Sequence, residues 1–228
     1  MYNNILYLLT RAVVRTYSIM WLHMDVHWHA QPPDGAKLYI ANHPSATDPF
    51  LIHLLSRQPM SVMISANAFS VPLFGSYLHK IGQIPVNPGQ GGQALEKAHD
   101  LLKAGHSVGI FPEGTFSPQG GGYHKPHTGA ARLALSTGVP VIPVGIYLPR
   151  EKSWKISSKL SGKQTTGYWY LRGPYSVTVG KSIRFEGNPE DKVHVRSISQ
   201  NMMQGIRGLA HESELRLHRF TLATTGSA

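Results

Sequence analysis

With 228 residues, 41% of them hydrophobic, the chain can bury one sizeable core and falls short of a second full domain. The absence of cysteine excludes disulfides, thiolate metal sites and an acyl-cysteine intermediate. A formal net charge of +10 favours an anionic partner: nucleic acid, anionic lipid headgroups or a phosphorylated substrate.

Residues 1–24 carry the apolar series Ile5, Leu6, Leu8, Leu9, Val13, Ile19 and Trp21, broken by Arg11 and Arg15. The run is too short and too charged for a secretory signal or a membrane span of about 20 residues. It reads as an interfacial helix with snorkelling arginines, or else as a helix packed on the core. Residues 23–29 alternate Met24, Val26 and Trp28 with polar residues, a half-exposed strand. Residues 38–41 form a buried strand and 49–56 a short helix begun by Asp48 and Pro49. A strand over 60–65 precedes an apolar stretch, 69–78, that Pro72 and Gly75 break; it can touch lipid or pack inside. A strand end at 82–89 leads to a helix over 93–104, stopped by Gly105. The strand 107–111 enters a Gly-rich loop, and a helix over 128–136 closes near Gly138. The strand 141–147 contains Pro143, so it should be bulged or partly unpaired.

Residues 150–172 change character, with six basic residues against Glu151, among Trp154, Tyr168, Trp169 and Tyr170. Such a mixture suits an anionic membrane surface, or single-stranded nucleic acid with stacking aromatics. A strand over 175–181 follows, and Asn188-Pro189-Glu190-Asp191 opens a last helix with cap, proline and first-turn acids. The tail, 221–228, is small, polar and expected to be disordered. Strands alternating with helices give an α/β class: a single domain over 25–220, preceded by the helix of 1–24. A central mixed sheet is expected, flanked by helices, with strand C-terminal ends delivering the site residues.

One such end carries Asn42-His43-Pro44-Ser45-Ala46-Thr47-Asp48-Pro49-Phe50. An imidazole beside a carboxylate can take a proton from a hydroxyl, because the carboxylate fixes the tautomer and stabilises the imidazolium. Among 13 His and five Asp in 228 residues, about 0.3 His-x4-Asp pairs arise by chance. A second pair exists, His29 to Asp34, but it spans Pro32-Pro33-Asp34-Gly35, which is turn chemistry. Asp48 also admits a plain helix-capping role ahead of Pro49. His27-Trp28-His29 and His124-Lys125-Pro126-His127 have ligand-like spacing, yet with no cysteine and no nearby carboxylate no metal site is assigned.

Four segments stand in order: Asn42-His43 to Asp48, Gly82 to Val86, Phe111-Pro112-Glu113-Gly114-Thr115, and Val141-Ile142-Pro143-Val144. Together they resemble the glycerolipid acyltransferase superfamily, the group of bacterial 1-acylglycerol-3-phosphate O-acyltransferases, over residues 37–185. Pro72-Leu73-Phe74-Gly75 and Gly129-Ala130-Ala131-Arg132 resemble its intervening sequence. The resemblance implies a lipid O-acyltransferase of phospholipid biosynthesis. His43 would be the general base on an acceptor hydroxyl and Asp48 its orienting partner, with no enzyme nucleophile, so Ser45 is given no such role. Glu113, Gly114 and Thr115 would shape the acceptor pocket, and no metal or cofactor is needed. The implied partners are an acyl thioester donor (acyl-CoA or acyl-carrier protein), a lyso-lipid acceptor and a membrane surface. The implied location is peripheral or monotopic on the cytoplasmic face, with residues 1–24 as the docking element.

Three positions depart from that pattern. Where the family commonly carries arginines for the acceptor phosphate, this chain has Asn87 and Phe116, and an upstream basic position is Ser65. Arginine grips phosphate through a planar bidentate fork that neither residue reproduces. Either Lys125, His127 or Arg132 holds the phosphate, or the acceptor lacks one, as in a glycolipid, a carotenoid glycoside or a lyso-aminolipid. From a different class, a non-catalytic basic module binding membrane or nucleic acid would retain the charge, but no sequence-reading element for nucleic acid is present.

Overall fold

The structure is a computed structural model that describes residues 3–160 and 163–225. Its strands are β1 (Asp25–Trp28), β2 (Leu38–Ala41), β3 (Met60–Ser65), β4 (Ile84–Val86), β5 (Ser107–Ile110), β6 (Val141–Tyr147), β7 (Trp154–Leu160), β8 (Lys163–Trp169) and β9 (Ser176–Val179). The helices are α1 (Asn4–Met20), α2 (Asp48–Leu51), α3 (Ala66–Phe69), α4 (Phe74–Lys80), α5 (Gly91–Lys103), α6 (Gly129–Thr137) and α7 (Lys192–Thr225). Seven strands form one sheet in the order β1-β9-β6-β2-β5-β3-β4. From β6 to β4 the neighbours run parallel, whereas β9 pairs antiparallel with β6 and parallel with β1. The sheet is therefore mixed, as expected.

Both faces of β2 are covered, which is why its four residues are all apolar and buried. Leu38 and Ile40 join a cluster with α5, α6 and α7 residues such as Ala98, Leu133 and Ile206. Tyr39 and Ala41 point the other way, to a cluster containing Leu51, Ile52, Val62, Ile142 and Val144. The period-2 alternation of side chains thus feeds two cores from one strand. Pro143 falls where the β6–β9 ladder is interrupted, between Val144↔Val179 and the isolated Val141↔Ile183 bridge. Its missing N–H costs no ladder bond there, and its carbonyl accepts from Gly180 N at 2.9 Å.

Three expectations need revision. The stretch 49–56 is split: α2 gives way to a 3-10 turn over Ile52–Leu55. The apolar stretch 69–78 is broken as expected, with Leu73 at φ 64 between α3 and α4. Gly75 is tight there, since a Cβ would lie 1.8 Å from the Phe69 carbonyl oxygen. The basic, aromatic stretch contains a separate antiparallel hairpin, β7–β8, that the sequence does not announce. Finally, α7 starts later than Asn188 and Pro189 suggest. Asp191 is its cap, accepting from Val193 N at 3.0 Å and His194 N at 3.1 Å, and the helix runs to Thr225, across most of the expected tail. Residues 226–228 of that tail lie outside the described residues.

Helix α1 has two sides. Tyr7 and Ser18 are buried; the Tyr7 hydroxyl accepts from Met60 N at 3.2 Å, and Thr10 accepts from the Tyr77 hydroxyl at 2.9 Å. The opposite side exposes Ile5, Leu8, Leu9, Val13, Ile19 and Met20, each at 59% or more. No described helix is long and apolar enough to cross a membrane.

Candidate active site

Strand β2 ends in a device that turns its chain out of the sheet. The Asn42 side chain imitates a strand residue: its Nδ2 donates to Ile146 O and its Oδ1 accepts from Ile146 N, both at 2.8 Å. The amide therefore completes the β6 edge by itself, and the backbone is free to leave with His43. Sequence reading missed this role, because an Asn next to His43 reads only as part of the motif.

His43 Nδ1 lies 2.9 Å from Asp48 Oδ2, with Asp48 fully buried and the imidazole 14% exposed. Asp48 is not a helix cap: the cap position is Thr47, and the Asp48 carboxylate spends its acceptors elsewhere. Oδ2 also accepts from Ser45 N at 2.8 Å, and Oδ1 accepts from the Tyr175 hydroxyl at 2.7 Å. Burial, followed by the Asp48 charge and hydrogen bond, pushes the Tyr175 hydroxyl well above its ordinary pKa, so it remains a donor. Tyr175 stands just before β9, far from the motif in sequence, and nothing local could have flagged it. With Nδ1 held by a carboxylate, Nε2 is the ring atom left to exchange a proton.

Aromatic rings frame that imidazole. Phe111 stacks on it at 4.2 Å between centroids and Phe116 lies at 4.6 Å, itself edge-on to Tyr168 at 6.0 Å. The hairpin closes the turn from above: Ala46 N donates to Tyr168 O at 2.7 Å, and Tyr170 N donates to Ser45 Oγ at 2.9 Å. Ser45 is fully buried and its hydroxyl also reaches Tyr168 O at 3.0 Å. That hydroxyl fastens the turn to the hairpin.

Glu113, delivered by the end of β5, is a second buried carboxylate beside His43, 2% exposed. Its Oε1 accepts from His43 N at 3.3 Å and from the Ser117 hydroxyl, while Oε2 accepts from His124 N at 2.9 Å. It touches the backbone of His43 and leaves the ring alone. Ser117 N in turn donates to His43 O at 2.8 Å, so the two loops are stitched together. Gly114 has φ 67, and a Cβ there would meet the His127 ring at 2.7 Å, which accounts for glycine at this position. Thr115 is exposed on the same loop.

The basic residues divide. Lys125 and His127 are exposed on the loop that follows Glu113. Arg132 is not brought to His43: its Nη1 donates to Pro189 O at 3.0 Å and lies 3.8 Å from Glu190 Oε1, at the approach to α7. Instead, Arg150 hydrogen-bonds Pro118 O on the Ser117 loop, an arginine that sequence order gave no reason to select. Asn87 and Ser65 are exposed near the sheet edge formed by β4.

The family model described as Acyltransferase matches residues 23–147. The chain is 32% identical over 138 residues to a chloroplastic 1-acyl-sn-glycerol-3-phosphate acyltransferase of Arabidopsis thaliana, covering 58% of this chain and 38% of the relative. It is 26% identical over 184 residues to the protein of that name from Pseudomonas aeruginosa, covering 77% of this chain and 65% of the relative. Among solved structures, the 1-acyl-sn-glycerophosphate acyltransferase PlsC of Thermotoga maritima shares the fold, with a TM-score of 0.63 at 20% identity, over 91% of this chain and 78% of that one. The chain spans about a third of the length of the first chloroplast relatives it matches. With more than half of its residues inside the family model, His43 and Asp48 among them, the chain belongs to the acyltransferase family.

Proposed function

We propose that the protein moves a fatty acyl group from the thioester of acyl-CoA or acyl-carrier protein to a lysophospholipid hydroxyl. The leading acceptor is 1-acylglycerol-3-phosphate, giving phosphatidic acid. The observation that carries this reading is the His43–Asp48 contact at 2.9 Å beside an aromatic wall, in a chain of the acyltransferase family.

His43 Nε2 takes the proton of the acceptor hydroxyl as its oxygen attacks the thioester carbonyl carbon. Asp48 holds the ring and stabilises the imidazolium. The tetrahedral intermediate collapses with cleavage of the C–S bond, and the imidazolium returns the proton to the leaving thiolate. Acyl group, proton and electron pairs are all accounted for without a cofactor or an enzyme nucleophile. Phe111 and Phe116 offer the apolar surface that an acyl chain or thioester arm requires. Glu113 and Gly114 shape the neighbouring loop, on which Thr115 and Lys125 face the acceptor, with Arg150 as the guanidinium nearest that loop.

The exposed apolar side of α1, together with the +10 net charge, supports peripheral docking on an anionic bilayer, on the cytoplasmic face where thioester donors occur. A second acceptor class has its own observation. Phe116 stands where relatives of this kind commonly carry arginine, and it packs against His43, which suits a lipid hydroxyl without phosphate. Labelled acyl-CoA supplied with a panel of lyso-lipids, with and without phosphate, tests both. Selective, saturable turnover of lysophosphatidic acid supports the first reading. Turnover confined to phosphate-free acceptors supports the second, and no transfer to any lipid hydroxyl overturns both.

A further inference from the structure

We propose that His27, His29 and Glu212 form a site for a divalent transition-metal ion of the zinc type, which clamps the edge strand β1 to α7. In sequence the two histidines look like ligands without a carboxylate. The fold supplies the carboxylate from 183 residues away, because α7 packs across β6 and β9, and β1 is the next strand beyond β9.

The alternation of β1 sets the geometry. Met24, Val26 and Trp28 face a core cluster, so Asp25, His27 and His29 form the row on the other face. One helical turn of α7 meets that row at both ends: Arg216 holds Asp25 with Nη2 at 2.6 Å, and Glu212 meets the histidines. His29 Nε2 lies 2.8 Å from Glu212 Oε2 and His27 Nε2 lies 3.9 Å from Glu212 Oε1, with the three ligand atoms all within 4.8 Å of one another. Around a tetrahedral zinc with bonds of about 2.1 Å, neighbouring donors stand about 3.4 Å apart. The observed separations bracket that value, and small rotations of side chains that are a third to a half exposed would equalise them. Two imidazoles and one carboxylate select zinc, nickel or copper over magnesium or calcium, which prefer all-oxygen shells. Among the described residues this is the group of three ligands that converges.

The site is separate from the His43 centre, since β9 and β6 stand between β1 and β2. Its effect is therefore structural. An ion bound only to the folded chain raises stability by mass action and fastens a short strand at the sheet edge.

A plain His29–Glu212 ion pair would explain the shortest of these contacts, and it needs no His27. The test uses the untagged, metal-stripped protein, titrated with Zn²⁺ alone by calorimetry and followed by thermal unfolding. One ion per chain should bind, raising the Tm, while Mg²⁺ should do neither. His27→Gln should weaken Zn²⁺ binding by more than the roughly 10- to 100-fold lost when only an outer partner of a metal ligand is removed. It should leave the metal-free Tm unchanged. His211→Gln, whose ring pairs with Glu214 at 3.2 Å, should bind Zn²⁺ as the wild type does. Two results would overturn the proposal: no saturable Zn²⁺ binding, or binding that His27→Gln leaves intact.

Discussion

His43, in the loop ahead of α2, and His53, in the 3-10 turn that extends α2, are close in sequence and both largely enclosed. Their environments differ in one decisive respect. His43 has the Asp48 carboxylate on Nδ1 at 2.9 Å, with the rest of its ring against Phe111 and Phe116. His53 has no carboxylate beside it among the described residues; the Tyr7 hydroxyl lies 3.5 Å from its Nδ1, and burial lowers its pKa to about 4, with the Gln83 hydrogen bond opposing and the Arg11 charge reinforcing. A buried imidazole without a counter-charge stays neutral and serves packing. The same ring beside a buried, anchored carboxylate can accept a proton and hold it for the length of a reaction.

Replacing Asp48 by Asn turns the first environment toward the second. Acyl transfer should fall by roughly 10²- to 10⁴-fold, the range expected when acid–base assistance is lost. Steady-state rates, with circular dichroism to confirm folding, check this. A variant with near wild-type turnover would remove the carboxylate from the chemistry.

His53 sharpens the contrast through pH. Its folded pKa, near 4, lies below the unfolded value of about 6.5, so the unfolded chain binds more protons between those values. The stability contributed by neutral His53 is complete above pH 6.5 and is lost as the pH falls towards 4, on the order of 3 kcal/mol in total. Denaturant melts across that window should show the slope in the wild type and a flatter profile in His53→Gln.

Glu113→Gln addresses the other buried carboxylate. A side-chain amide cannot accept from all of His43 N, Ser117 Oγ and His124 N, so a buried donor is left unpaired at a cost of about 1–3 kcal/mol. Urea unfolding should register that loss. If Glu113 instead served only the acceptor, stability would be unmoved and only KM would change. The smallest expected effect is that of Tyr175→Phe, which deletes one hydrogen bond to Asp48 and should lower kcat about tenfold with KM unchanged.

The strands were legible because doubly covered parallel strands are nearly continuous apolar runs, as at Leu38–Ala41 and, after Ser107, Val108 to Phe111. The His43–Asp48 pair was legible because both residues sit on one turn. Three features were not, and each joins distant segments. Tyr175 completes Asp48 across 127 residues, Arg132 is drawn away to Pro189, and Glu212 reaches His29 only once α7 has packed on the sheet. The hairpin of β7 and β8 escaped for a different reason. Its Lys, Thr and Ser content resembles a charged loop, and its pairing is with itself rather than with the apolar sheet.

The most direct measurement compares wild type with His43→Ala for transfer of labelled acyl groups from acyl-CoA to lysophosphatidic acid, alongside binding to anionic vesicles. Transfer should be measurable in the wild type and drop by at least about 10²-fold in the variant, with vesicle binding equal for both. Transfer that survives the loss of His43 would contradict the assignment of this imidazole as the base.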